Sequence, residues 1–114
     1  MKEVYVVSAL RTAVGSLGRS LKNITGDELG SNVISSLLSF SKIENNSVDE
    51  VIMGQVLTGG TGQNPARQAA IKSGIPKEKP AFVVNQVCGS GSRSVASGFQ
   101  SIKAGDNKIV LSGG

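Results

Sequence analysis

Short apolar runs alternate with helical stripes along this chain. The run Val4-Tyr5-Val6-Val7-Ser8-Ala9 is β-branched and predicts a buried strand. A Gly/Ser-rich loop then leads to Asn23. Thr25 followed by Glu28 has the spacing of a capping box, with Ile24 and Leu29 placed as a hydrophobic staple. Leu29, Val33, Ile34, Leu37 and Leu38 then recur at helical spacing, which predicts a helix ending near Ser41 with one face on a sheet. Glu50 to Gln55 reads as a second strand. Asn64 as N-cap, Pro65 at the first helical position and Gly74 at the end bracket a second helix. Ala81 to Asn85 is a third strand. A third helix is expected from about Cys88 or Gly89 to Ala104, stopped by Gly105, and Lys108 to Ser112 is a fourth strand.

The expected order is therefore β-α-β-α-β-α-β. Strands alternating with helices argue an α/β domain with a mixed, mostly parallel sheet. The strands lack clean apolar/polar alternation, as strands buried on both faces do. The third helix is unusual. Gly89-Ser90-Gly91-Ser92-Arg93-Ser94 opens it, and glycine costs up to about 1 kcal/mol per residue against alanine in a helix. Such a segment needs tertiary support. Val95, Phe99 and Ile102 form one apolar stripe, and Ser90, Ser94 and Ser97 a second face of small residues, so close packing on several sides is expected.

Composition narrows the function. With 39% apolar and 18% charged residues, the 114 residues are those of a globular domain with a core of its own. No apolar run approaches the roughly 20 residues that span a bilayer, and Met1-Lys2-Glu3-Val4 has no signal-peptide core. Neither membrane insertion nor export is expected. The net charge is +4, but the 12 basic residues are scattered and aromatics are few, so no nucleic-acid partner is expected. A single cysteine cannot form an internal disulfide, which suits the cytoplasm.

That cysteine, Cys88, lies where a strand becomes a helix. A helix N-terminus offers unpaired N–H groups and the positive end of the dipole, both of which favour a thiolate, the nucleophilic form. Gly89 and Gly91 leave room for a substrate to approach the backbone. The competing reading is a cysteine that only packs. If Cys88 is catalytic, its base is not a histidine of this chain, which has none. Two weaker motifs lie nearby. Gly89 to Ser94 resembles a dinucleotide fingerprint, but its third position is Ser94 and no acid ends the next strand. Thr58-Gly59-Gly60-Thr61-Gly62 lacks the lysine of a phosphate loop and reads as a connector.

At Asn85-Gln86-Val87-Cys88-Gly89-Ser90-Gly91 the chain resembles the thiolases, in particular their acetyl-CoA acetyltransferase branch. Val7 to Gly15, Met53 to Leu57 and Gly62 to Ala70 agree in order, so the resemblance extends from the first expected strand to Gly114. It implies a thiolase-like N-terminal domain of which residues 1–114 are a single, partial domain. It implies Cys88 as the nucleophile that carries the acyl group, with its backbone N–H in an oxyanion hole. The substrates implied are coenzyme A thioesters, acetyl-CoA and acetoacetyl-CoA, with no separate cofactor and no metal; residues that bind coenzyme A are not assigned. Homodimers or tetramers are implied, with Asn64 to Gln68 as an interface segment.

There are two departures from the family pattern. Ser92 replaces a larger apolar residue. The family's activating histidine, second cysteine and asparagine-held water all belong to its later half. The chain alone is therefore expected to be inactive, either as part of an acyltransferase or as a non-catalytic remnant or split-gene half that needs a complementary chain. A ketoacyl synthase or thiolase-like lipid-transfer relative shares the fold, and the Gly62 to Ala70 block argues against it.

Overall fold

The computed structural model describes residues 2–114. Its elements are α1 (Gly26–Ser41), a 3-10 turn (Asn45–Ser47), β1 (Glu50–Gly54), α2 (Pro65–Lys72), β2 (Ala81–Val84), α3 (Ser90–Ala104) and β3 (Val110–Gly113). The three strands form one parallel sheet in the order β2-β1-β3. Val51 pairs with Ala81 on one side and with Leu111 on the other. No helix among the described residues is long and apolar enough to cross a membrane.

The helix ends follow from local chemistry. Thr25 and Glu28 form the expected capping box: the Glu28 N–H donates to Thr25 Oγ1, and the Thr25 N–H donates to the Glu28 carboxylate. Asn64 caps α2 by accepting from the Arg67 N–H at 3.1 Å, with Pro65 at N1. Gly74 (φ +88°) and Gly105 (φ +89°) adopt the left-handed conformation that ends α2 and α3.

One face of the sheet carries the apolar core. Val51 and Leu111 meet Ile34 and Leu38 of α1, Ala69 and Ala70 of α2, and Val48 and Ile75 of the connections. Gly30 brings the two helices close, since a Cβ there would lie 3.2 Å from the Ala69 Cβ. The half-buried Leu29, Val33 and Leu37 flank a buried line of Asp27, Gly30, Ile34 and Leu38. Asp27 pairs with Lys72 of α2, and the Lys72 ammonium holds the Asp27 carboxyl below its ordinary range. Asp49 ties β3 to the start of β1, accepting from the N–H groups of Lys108 (2.7 Å) and Ile109 (3.0 Å). These bonds likewise lower its pKa.

The other face carries α3, through small residues. Ser90, Ser94 and Gly98 are its buried positions. Ser94 Oγ donates to Gly113 O at 2.8 Å, and Ser112 Oγ donates to Ser94 O at 2.9 Å. A Cβ at Gly98 would lie 2.7 Å from Ser112 Oγ, and one at Gly54 2.5 Å from the Ser90 carbonyl carbon.

Two expectations need correction. Val4 to Ala9 forms no strand: the segment pairs with no other, and Tyr5, Val6 and Val7 are 72%, 82% and 75% exposed. The described order is α-β-α-β-α-β, and the sheet is wholly parallel. A β-branched run favours extended backbone, but a strand exists only where a neighbour supplies its ladder. Second, α3 is not enclosed on several sides. Its small, polar face packs on the sheet, while Val95 and Phe99 of the apolar stripe are 51% and 49% exposed.

Two outcomes are expected. Gly54→Ala must displace the first turn of α3, lowering stability to urea by about 1–3 kcal/mol; Gly59→Ala, with nothing within 4 Å of the new methyl, should be close to neutral. The Asp27 carboxyl contributes fully above its ordinary pKa of 3.8, and that contribution fades as pH falls through the lower folded value. Asp27→Asn should therefore flatten the fall in urea midpoint below about pH 4, leaving the part due to Asp49.

Candidate active site

The turn from β2 to α3 is held by its own side chains. Asn85 Nδ2 donates to Val56 O (3.1 Å), anchoring the turn to the loop after β1. Asn85 Oδ1 accepts from the Val87 N–H at 2.9 Å. Ser90 Oγ accepts from the Gln86 N–H (2.8 Å) and donates to Val87 O (2.6 Å). Arg93 Nε donates to Gln86 Oε1 at 2.9 Å. Within this mesh Val87 has φ +49°, in the left-handed region that a β-branched residue rarely enters.

Cys88 follows immediately, and its thiol is exposed. It stands one residue before the N-cap Gly89, at the C-terminal end of the parallel strands, where open α/β sheets bind ligands. The first turn of α3 contains no acidic residue, and its N–H groups carry the positive end of the dipole. An accessible thiol beside such donors can attack an electrophilic carbonyl and hold the resulting charge. Backbone approach beneath it is close: a Cβ at Gly114 would lie 2.8 Å from the Gly91 Cα and 3.2 Å from the Gly54 Cα.

The Gly62 to Ala70 block fastens the opposite end of β2. Arg67 donates to the carbonyl oxygens of Lys77 and Lys79 (2.7 Å each), and Asn64 Nδ2 donates to Ala81 O at 2.9 Å. These bonds fix the entry to β2. Gln68 Nε2 donates to Thr61 O (2.8 Å) and Gln63 O (2.9 Å), tying down the glycine loop. Among the described residues no group of His, Cys, Asp or Glu gathers that could ligate a metal.

The model of the thiolase N-terminal domain matches residues 4–114. The chain belongs to the thiolase family. It is 52% identical to the acetyl-CoA acetyltransferase of Pseudomonas aeruginosa and 54% identical to that of Cupriavidus necator, in each case over 100% of this chain and 29% of the relative. The fold matches the Acat5 thiolase of Ascaris suum, solved in complex with coenzyme A, with a TM-score of 0.93 and 37% identity over 96% of this chain and 28% of that one. The chain thus spans under a third of these relatives.

Cys88 lies in plain view in the sequence. Asn85, Ser90 and Arg93, which hold its turn, do not stand out there for that role. An asparagine two residues before Val87 is the spacing of an Asx turn, which is the one signal that could have pointed to it. The left-handed Val87 has no sequence signal, because valine is among the residues least suited to it.

The exposure of Cys88 predicts that Ellman's reagent titrates one thiol per native chain, with no rise in the final count on adding denaturant. A thiol reached only in denaturant would contradict that placement.

Proposed function

We propose that this chain carries the nucleophilic part of an acyl-CoA acyltransferase of the acetyl-CoA C-acetyltransferase type, with Cys88 as the acylated residue. The observation that carries the reading is an exposed thiol at the head of α3 in a chain of the thiolase family. The names of the relatives and the coenzyme A bound to the Ascaris suum thiolase support the substrate class. The substrates are acetyl-CoA and acetoacetyl-CoA, and no separate cofactor takes part. The relatives' names favour this reading over a ketoacyl synthase.

In the first step the Cys88 thiolate attacks the thioester carbonyl. A new C–S bond forms, the bond to coenzyme A breaks, and coenzyme A leaves as its thiol after taking up a proton. The Cys88 N–H, at the positive end of α3, faces the oxyanion of the tetrahedral intermediate. In the second step a carbanion from a second acetyl-CoA attacks the acetyl-cysteine. A C–C bond forms and the Cys88 thiolate is released. Thiolysis of acetoacetyl-CoA is the reverse.

Deprotonating Cys88 needs a base, and these 114 residues hold no histidine. The base comes from another residue type or from outside this segment. The same applies to the acid that protonates coenzyme A. A single cysteine without an internal disulfide suits a cytoplasmic enzyme. Assembly as a dimer or tetramer follows the family resemblance.

The test is a chimera in which these residues replace the matching first part of the Cupriavidus necator acetyl-CoA acetyltransferase. It should cleave acetoacetyl-CoA in the presence of coenzyme A, and Cys88→Ala should abolish the cleavage. The 114 residues alone should show none. A folded chimera without cleavage activity, or one that stays fully active after Cys88→Ala, would sink the proposal.

A further inference from the structure

We propose that Asn85 and Ser90 are positioning residues for Cys88, acting through the left-handed backbone of Val87. The inference rests on the reading of Cys88 as the acylated residue. That site stands on the family membership and not on the helix terminus alone.

The observation is that both peptide groups of Val87 are gripped by side chains. Its N–H donates to Asn85 Oδ1 at 2.9 Å, and its carbonyl accepts from Ser90 Oγ at 2.6 Å and from the Ser90 N–H at 3.1 Å. Valine at φ +49° persists only where its surroundings over-determine it. The two side chains are anchored on different elements. Asn85 is tied to Val56 O in the loop after β1. Ser90 is 4% exposed, and its backbone lies against Gly54 at the end of β1. The strained residue is therefore referenced to the central strand from both sides.

The consequence falls on Cys88. A left-handed residue turns the chain sharply out of the β2 direction. Cys88, the next residue, is exposed, while Ser90, two positions further on, is buried against the sheet. If Val87 relaxed to an ordinary right-handed or extended conformation, the thiol would leave its place at the head of α3. Neither Asn85 nor Ser90 is assigned contact with the reacting atoms, so their effect is on the orientation of the sulfur.

A merely structural cap would lower stability without coupling to the conformation of Val87. Glycine enters the left-handed region freely, so Val87→Gly separates the two roles. The measurement is the rate of iodoacetamide alkylation of Cys88 in the intact chain near neutral pH, followed by mass spectrometry, with far-UV circular dichroism as the check on folding. Asn85→Ala should slow alkylation by about 3–10-fold, and by less than about twofold when Val87→Gly is also present. Asn85→Ser, whose hydroxyl can still accept in a weaker turn of the same kind, should give an intermediate rate. It stands in for the alanine variant should that one fail to fold. Ser90→Ala should behave as Asn85→Ala does.

Rates unchanged or faster in the single variants would overturn the proposal, and so would an equal factor with and without Val87→Gly. Alkylation involves no coenzyme A. An inactive chimera with the coupling intact would remove the acyltransferase reading and leave the positioning role. An active chimera without the coupling would do the reverse.

Discussion

The position of Cys88 depends on how closely the first turns of α3 approach the strand ends. No side chain of any size separates them. A single methyl on Gly54 would come within 2.5 Å of the Ser90 carbonyl carbon, and one on Gly98 within 2.7 Å of Ser112 Oγ. Such distances leave no room for a Cβ, so the helix lies on the sheet at a depth set by backbone contact. Larger side chains would raise the helix and carry the thiol away from the ends of β1 and β3.

That close approach buries hydroxyl groups, and each must find an acceptor. An unpaired hydroxyl costs about 1–3 kcal/mol in a protein interior. Ser94, fully buried, donates to the carbonyls of Gly91 and Gly113; Ser112 donates to Ser94 O; Ser90 bonds within the turn. These bonds explain how a segment rich in glycine and serine stays helical against its propensity. Tertiary contacts decide, and they decide through hydrogen bonds and fit.

Much of this was legible in the sequence because its causes are local. The capping box at Thr25, the Asn64-Pro65 start of α2 and the glycine stops at 74 and 105 each involve residues within a turn of one another. The cysteine at a strand-to-helix junction was legible for the same reason. What failed has non-local causes. The run Val4 to Ala9 has the composition of a strand, but composition does not supply a neighbour. The burial of Ser90, Ser94 and Gly98 in preference to Val95 and Phe99 inverts the usual sense of an amphipathic helix, and only the shape of the sheet beneath it determines that. Gly91 was expected to open an approach for substrate. The structure instead sets it against Gly114 on the packing side.

The two faces of the sheet are consequently stabilised in different ways. The α1–α2 face encloses Ile34, Leu38, Val51, Ile75 and Leu111, and full burial of such a side chain contributes about 1.5–3 kcal/mol. The α3 face gains less from apolar burial, with Ile52 as its large buried residue and small groups elsewhere. Specificity there comes from fit and from paired hydroxyls, while Val95 and Phe99 of the apolar stripe stay exposed. A helix of this kind has its orientation fixed from beneath and its apolar stripe open above. Cys88 therefore stands at the head of the helix whose packing is set by close fit and whose apolar surface is least used. That combination holds Cys88 at the C-terminal end of the strands while Val95 and Phe99 remain exposed.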